Sequence, residues 1–476
     1  MRTAVWCLLA GALLSGCAVG PDYKRPETDL PQQWRMDYPK AADVANTKWW
    51  EQFGDPVLDQ LIESALRENL DVRAAAARVD QFLGALSTTR SQFFPQLGYN
   101  ASASRNRASQ VGQPALPAGT DPNYSLYQGA LAASWQIDLF GRVRRQSESV
   151  QAQVFASEQG RRGVILSLVA SVATSYIGLR ALDRQLEIAR ATARNYGDTL
   201  QLFQLRFQGG VVSQVEISQI ESQYQQALAA IPSIELQVAS QENLISVLLG
   251  RNPGAIPRGK SIDELTAPAI PADLPSELLE RRPDILQAEQ NLVSANANIG
   301  VAKSLYFPSI SVTGLFGSVS TAAGDFLTGP ARAWTAAADL AGPIFTFGAI
   351  SGQVQTAEAA RLEAEYFYRR AILTAFRETN DALTGSQKRR QEAEAQAKRV
   401  IALREYARLS RLRFDNGVAS YIEVLYAENE LFAAELIAVT AQAERYAQLI
   451  AVYQSVGGGW VNAADAIALP PKADGK

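Results

Sequence analysis

The 476-residue chain contains no histidine. That removes the commonest general base, the commonest metal ligand and every Ser/His or Cys/His nucleophile pair, leaving only carboxylate or lysine chemistry open to an enzyme. Cysteine occurs twice, as Cys7 and Cys17, both at the extreme N-terminus. Neither sign of charge prevails, with 45 Lys and Arg against 48 Asp and Glu, so no nucleic acid or other polyanion is implied as a partner. No phosphate-binding loop is present, which means that energy for any transport would come from elsewhere. Past the N-terminus, no stretch qualifies cleanly as a membrane-spanning helix. The closest, from Gly163 to Leu179, is uncharged but rich in Ser and Thr and slightly short for a span. Its counterpart in an internal repeat, Arg370 to Ser386, carries Arg370, Arg377, Glu378 and Asp381. Duplicated elements share an environment, so both are expected to be packed helices.

Met1-Arg2-Thr3 supplies a short positive segment, and Ala4 to Leu14 an apolar run of signal-peptide length. Leu14-Ser15-Gly16-Cys17 then resembles the bacterial lipobox, in which the leader (residues 1–16) is cut before a lipid-modified cysteine. On that reading Cys17 carries a covalent lipid, the mature chain keeps no free thiol, and several acyl chains on one residue suffice for stable anchoring. Ala18 is small, as in lipoproteins sorted to the outer membrane.

The dominant internal signal is a duplication. Leu205-Arg206-Phe207-Gln208-Gly209-Gly210-Val211-Val212-Ser213-Gln214-Val215-Glu216 recurs as Leu412-Arg413-Phe414-Asp415-Asn416-Gly417-Val418-Ala419-Ser420-Tyr421-Ile422-Glu423, at a constant shift (413 − 206 = 207). Each copy reads as a tight turn between two long helices. Gly210 and Gly417 supply the left-handed backbone that ends a helix, and Ser213/Glu216 and Ser420/Glu423 fit the capping box that starts the next. Arg206 and Arg413 sit in last helical turns, where positive charge is favoured. Val211, Val212 and Val418, apolar at an exposed turn, are what capping leaves unexplained.

Residues 17–54 are expected to be extended and Pro-punctuated, up to Trp49-Trp50, and to run over the surface of the body. A first repeat over 55–249 holds a short helix from Pro56 to about Arg67, a helix capped by Asp71 and ended by Pro95, a strand hairpin over about 97–139, and a long helical hairpin. Its first arm runs from Gly141 to Gln208, about 100 Å at the standard rise. The return arm, from Ser213 to about Leu249, shows seven-residue apolar series and a Pro232 expected to kink it. An irregular connector spans 250–275, and a second repeat spans 276–456, with strands over about 309–345 and its turn at about 413–423. Beyond it, residues 457–476 read as a loose tail. In the strands Tyr127, Leu131, Ala133, Trp135 and Ile137 alternate with Gln128, Ser134 and Gln136, a pattern for one apolar and one wet face.

Strands of about ten residues match those that cross an outer membrane, yet four cannot close a barrel and an open sheet in lipid would leave its edges unpaired. They must pack as a soluble sheet or be completed by further copies of the chain, and the lipobox and the duplicated long helices favour completion.

At this point Cys17-Ala18-Val19-Gly20-Pro21-Asp22-Tyr23, Trp49-Trp50 through Asp55-Pro56, Arg281-Arg282-Pro283-Asp284-Ile285, Ile299-Gly300, Phe307-Pro308-Ser309 and both turns together resemble the TolC-like outer-membrane factors of tripartite efflux systems, in their lipoprotein (NodT-type) branch. The resemblance covers nearly the whole mature chain. It implies a mostly α fold with a transmembrane β part: a homotrimer with a twelve-stranded β-barrel, four strands from each chain, and a long periplasmic α-helical barrel. It also implies an outer-membrane exit duct without enzymatic activity, docked to a periplasmic membrane-fusion adaptor and an inner-membrane pump of the resistance-nodulation-division class. No cofactor beyond the covalent lipid is implied. The turns would form the adaptor-docking tip (Arg206, Phe207, Gly210, Val211, Val212, Arg413, Phe414, Gly417, Val418). Glu216, Glu423, Tyr421 and Tyr426 would form a tunnel gate. Ala419 stands where some relatives carry a basic residue, and Tyr426 where some carry an acid, so the expected closure is hydrogen-bonded or apolar rather than a salt-bridged lock. The rival readings are an outer-membrane channel for type I-like protein secretion and a coiled-coil scaffold lipoprotein without a lumen. A lipid-anchored hydrolase is a further rival, which no motif supports.

Overall fold

A computed structural model describes residues 18–27, 48–111, 119–270, 278–457 and 460–468. The lipobox, with Cys7 and Cys17, lies outside the described residues. The elements in chain order are α1 (Pro56–Glu68), α2 (Leu70–Ser91), β1 (Gln96–Arg107), β2 (Asn123–Ile137), α3 (Arg142–Gln208), α4 (Gln214–Leu248), α5 (Pro283–Ser304), β3 (Ser309–Ser320), β4 (Arg332–Ala341), α6 (Ala349–Asp415), α7 (Tyr421–Val456) and α8 (Trp460–Ala468). Helices α3 and α6 are each 67 residues long, and both of their ends are displaced by the shift seen in the turns. The duplication in sequence is therefore a duplication of long helices. The described residues divide into two units. One comprises the described part of Met1–Glu27 with Val79–Ser157 and Ala288–Tyr368; the other takes the described parts of Thr28–Arg78, Glu158–Gln287 and Arg369–Lys476.

The first unit holds an antiparallel sheet in the order β1-β2-β3-β4. Its register brings Tyr99 opposite Leu131, Leu131 opposite Phe316 and Phe316 opposite Trp334, an apolar row across all four strands. All four side chains are exposed. Rows two, four and six residues further in one direction add Leu97, then Trp135 and Val312, then Ile310 and Leu340, to the same face, because side chains alternate with a period of two. The opposite face carries Asn100, Ser102, Ser134, Gln136, Ser311, Thr313, Thr335 and Asp339. One apolar face and one polar face are what the alternation in sequence requires. The sheet covers neither face with another layer among the described residues, and β1 and β4 are its edges. Asp138 starts α3: its carboxylate accepts from the backbone N–H of Val143 (3.1 Å) and Arg144 (3.0 Å), just past Gly141 at φ 76°.

In the second unit, Trp49, Trp50, Phe53, Tyr446, Tyr453 and Trp460 pack into one aromatic cluster, Trp49 stacked on Tyr453 at 5.1 Å. Trp49 and Trp50 are thus core residues in a short 3-10 helix rather than the end of a surface segment. Asp55 caps α1 through the Val57 N–H and also accepts from the Tyr176 hydroxyl (2.8 Å) and the Lys260 N–H (3.0 Å). A Cβ on Gly259 would fall 2.0 Å from that carboxylate, so only glycine lets the connector approach. Arg282 is buried, where it donates to Asp284, Glu378 and the Ser455 carbonyl. The Gly163–Leu179 stretch contributes Ile165, Val169, Val172, Ala173, Tyr176 and Ile177 to the buried core, as a packed helix should.

The cap of α2 and the C-terminal tail differ from expectation. The cap of α2 is Asn69, whose side-chain oxygen accepts from the Asp71 (2.9 Å) and Val72 (3.1 Å) N–H groups; Asp71 lies inside the helix. Helix α4 continues through Pro232, from Gln214 to Leu248, although proline supplies no N–H to the helical ladder. The tail contains α8, which buries Trp460, Val461 and Ala464 and is pinned where Arg161 donates to Asp465 at 2.9 Å. Apolar residues at 460, 461, 464 and 467 form a helical stripe in the sequence.

Candidate functional site: the two interhelical turns

The two turns lie in the same unit and have the same backbone. In the first, Gly210 N–H donates to Phe207 O (2.8 Å) and Val211 N–H to Arg206 O (2.9 Å); in the second, Gly417 donates to Phe414 O (2.8 Å) and Val418 to Arg413 O (3.0 Å). These paired bonds are the Schellman closure of a helix C-terminus, and they require the left-handed residue supplied by Gly210 (φ 75°) and Gly417 (φ 73°). A side chain there would be strained even though space is open around both.

The side chains diverge. In the first turn, Glu216 accepts from the N–H (2.8 Å) and the hydroxyl (3.1 Å) of Ser213, so its carboxylate serves the start of α4. In the second, the expected box does not form. Glu423 instead accepts from Arg413 at 2.7 Å, an ion pair across the turn. Arg206 has no such partner role: its guanidinium carbon lies 5.6 Å from the Phe203 ring centre and 5.8 Å from that of Phe414.

Those rings belong to a junction between the two hairpins. Phe203 (α3) stacks on Phe414 (α6) at 6.1 Å and lies 4.4 Å from Tyr421 (α7), which meets Phe414 at 5.0 Å. Ile220, Val424 and Leu425 belong to the same buried cluster, with Ala193, Tyr196, Leu200 and Ala227, and Val212 and Phe414 pack partly buried against it. Tyr421 is 1% exposed. It is a wedge inside the chain and cannot line a lumen, which corrects the gate expected there; its hydroxyl accepts from Arg411 at 3.4 Å. Tyr426 is 62% exposed, one turn further along α7. The expected docking set divides likewise. Phe207, Val211 and Val418 are exposed, whereas Arg206, Phe414 and Val212 serve the junction.

Behind the junction is a carboxylate that sequence reasoning missed. Glu428 lies 3.7 Å from Arg411, and burial pushes its carboxyl above the usual range against the opposing pull of Arg411 and an Asn195 hydrogen bond. Tyr196 is buried nearby with its hydroxyl raised, first by burial and then by the charge of Glu428. The available signal was a break in the repeat: Phe203, Arg411 and Tyr421 correspond to Ser410, Gln204 and Gln214 in the other copy.

None of this is catalytic geometry. Among the described residues no group of His, Cys, Asp and Glu is placed to hold a metal ion. A sheet with an uncovered apolar face, together with two long helical hairpins ending in structured turns, defines an outer-membrane channel subunit. The comparisons give the family. The outer membrane efflux protein family matches residues 61–251 and 274–458, and the chain belongs to it. It is 31% identical over 461 residues to the solvent efflux pump outer membrane protein SrpC of Pseudomonas putida, covering 95% of this chain and 97% of the relative. It is 30% identical to the probable outer membrane lipoprotein SilC of Salmonella typhimurium, covering 94% and 97% of the two chains. The open state of the Neisseria gonorrhoeae MtrE outer membrane channel superposes with a TM-score of 0.84 at 29% identity, over 93% of this chain and 98% of that one. The protein is an outer-membrane efflux channel, the exit component of an efflux pump. Neither the protein-secretion nor the scaffold alternative is favoured.

Proposed function

We propose that three copies of the chain join edge to edge, β4 of one against β1 of the next, to close a twelve-stranded barrel whose apolar face meets lipid. The observation that carries this reading is the uncovered apolar row Tyr99–Leu131–Phe316–Trp334 on a sheet with two open edges. A lipid on Cys17 tethers each copy, and the helical hairpins reach into the periplasm. There the turns meet a membrane-fusion adaptor, and through it an inner-membrane pump that supplies the energy. Val211, 75% exposed, and Val418, 66% exposed, are the apolar contacts offered to the adaptor, with Phe207 beside them. Cargo is small organic compounds, as the names of the solvent- and antibiotic-pump relatives suggest. The chain conducts rather than catalyses. The gate is carried by Tyr426 and the Glu216 and Glu423 carboxylates.

Planar-bilayer conductance of the purified protein, with oligomeric mass measured alongside, tests the duct. Stable channels from a trimer are expected; a non-conducting monomer would overturn the reading. For the gate, Glu423→Ala and Tyr426→Ala are expected to raise the resting conductance, and wild-type values in both would remove these residues from it.

A further inference from the structure

Residues 18–27 precede the segments matched by the efflux family, yet they are held more tightly than a surface tail needs to be. The Val19 N–H donates to the Phe140 carbonyl (3.2 Å). Arg145, buried near the start of α3, donates to the carbonyls of Val19 (3.2 Å) and Gly20 (3.3 Å) and pairs with Asp22 at 2.7 Å. From α5, Asn296 donates to the Pro21 carbonyl (2.8 Å), and Glu289 accepts from Tyr23 (3.1 Å) and from Arg25 through two bonds. Gly20, at φ 105°, lies against Gly300 so closely that a Cβ on it would come within 2.5 Å of the Gly300 Cα. Three successive carbonyls of this strap are thus read by side chains from two helices, one from each repeat.

Those helices sit at one junction. Helix α3 leaves the sheet just after β2, and α5 enters it just before β3. Ile137 at the end of β2 pairs with Ile310 at the start of β3, and this is where the ladder between the two repeats begins. Beside it Phe140 stacks on Phe307 at 4.7 Å. Among the described residues every other strand pairing is a hairpin, but β2–β3 must join residues separated by roughly 170 positions, a closure whose entropic cost grows with the logarithm of loop length. A slip of two residues would keep every side chain on its own face, so hydrophobic patterning alone does not forbid it.

We propose that the strap is a register clamp: by binding the start of α3 and the end of α5 together, residues 18–25 fix the offset at which β2 pairs with β3. Arg145, Asn296, Glu289 and the Gly20–Gly300 contact are its positioning elements.

Gly300→Ala isolates the effect. Alanine favours a helix over glycine, so α5 itself is not weakened, but the new Cβ falls 2.6 Å from the Val19 carbonyl and 2.7 Å from the Arg145 Cγ, displacing the strap. The native cysteines, Cys7 and Cys17, both lie ahead of the strap, so engineered pairs report cleanly. In the full-length membrane-inserted protein, Ser134→Cys with Thr313→Cys reports the native register, and Ser134→Cys with Ser311→Cys reports a two-residue slip. The expected result for Gly300→Ala is a fall of at least threefold in the ratio of native to slipped disulfide. A general loss of stability would lower both yields without moving that ratio. An unchanged ratio overturns the proposal. If Gly300→Ala does not accumulate, Asn296→Ala, which removes only the hold on Pro21, decides by the same ratio.

Discussion

Replacing Tyr421 with alanine should loosen the junction between the two helical hairpins from inside. The ring is almost fully buried, and it touches both Phe203 and Phe414. Truncating a buried aromatic side chain to alanine costs about 3–5 kcal/mol, of which each aromatic pair supplies ~0.5–1.5 kcal/mol. The cost falls on the junction between the hairpins, because Tyr421 is packed there in one buried cluster with Tyr196, Leu200, Phe203 and Ile220 of the other hairpin. At 1.4 kcal/mol for each factor of ten, a loss of ~3 kcal/mol raises the open population of the joint about a hundredfold. Native-state hydrogen exchange read by mass spectrometry should show this as a matching fall in protection over residues 196–230 and 410–428, with the rest of the chain unmoved. Tyr421→Phe keeps the rings and loses the hydroxyl's bonds with Arg411 and Thr199, so it should cost about 1–2 kcal/mol, well short of the alanine variant. Tyr426→Ala, at an exposed position, should change stability by no more than about 0.5 kcal/mol. If Tyr421→Ala leaves exchange at the turns unchanged, or if Tyr426→Ala matches it, the junction does not hold the hairpins together.

Two further outcomes follow from caps and burial. Asp59 has its carboxyl pushed up to about 6, mainly by burial and then by Glu51, Asp55 and Glu63. A carboxyl raised in the folded state penalises folding above that pH, and the penalty fades as pH falls towards its ordinary 3.8. Asp59→Asn should therefore raise stability at pH 7–8 by about 1 kcal/mol, the full shift being discounted because the group is partly solvated, with the gain vanishing below about pH 4; thermal denaturation across that range measures it. Asp138→Ala removes both acceptors for the first N–H groups of α3 and should cost about 1–2 kcal/mol, seen as faster amide exchange confined to residues 142–146.

The fold was largely legible because its signals are periodic and repeated. Two copies of a Schellman turn, period-two alternation in four strands and seven-residue series in the return helices each identify an element by local rules. What escaped has a common cause: partners brought from far along the chain. Asn69 outcompetes Asp71 as the cap of α2 because its amide also donates to the Leu248 carbonyl, a contact 179 residues away. Trp49 and Trp50 follow a proline-rich stretch that reads as surface, but Tyr453 and Trp460 close over them from the other end of the chain. Arg145 and Glu289 carry no motif at all, since what they recognise is the backbone and side chains of the strap.

The turns show how a duplicated string can hold two different jobs. Arg206 and Arg413 occupy equivalent positions, as do Phe207 and Phe414, and identical backbone bonds close both helices. Yet one hairpin brings Phe203 to the interface where the other has Ser410, and one brings Tyr421 where the other has Gln214. Those two aromatic residues capture Phe414 and leave Phe207 facing out. Once Phe414 is in the junction, Arg206 lies over it, and Glu216 is left to cap α4. On the other side Arg413 points away from the rings and takes Glu423 instead, so the capping box is lost there. Two substitutions off the repeated motif thus decide what the motif residues do. The repeat identifies the two turns, and the departures from the repeat identify which of their residues are packed into the junction and which are left exposed.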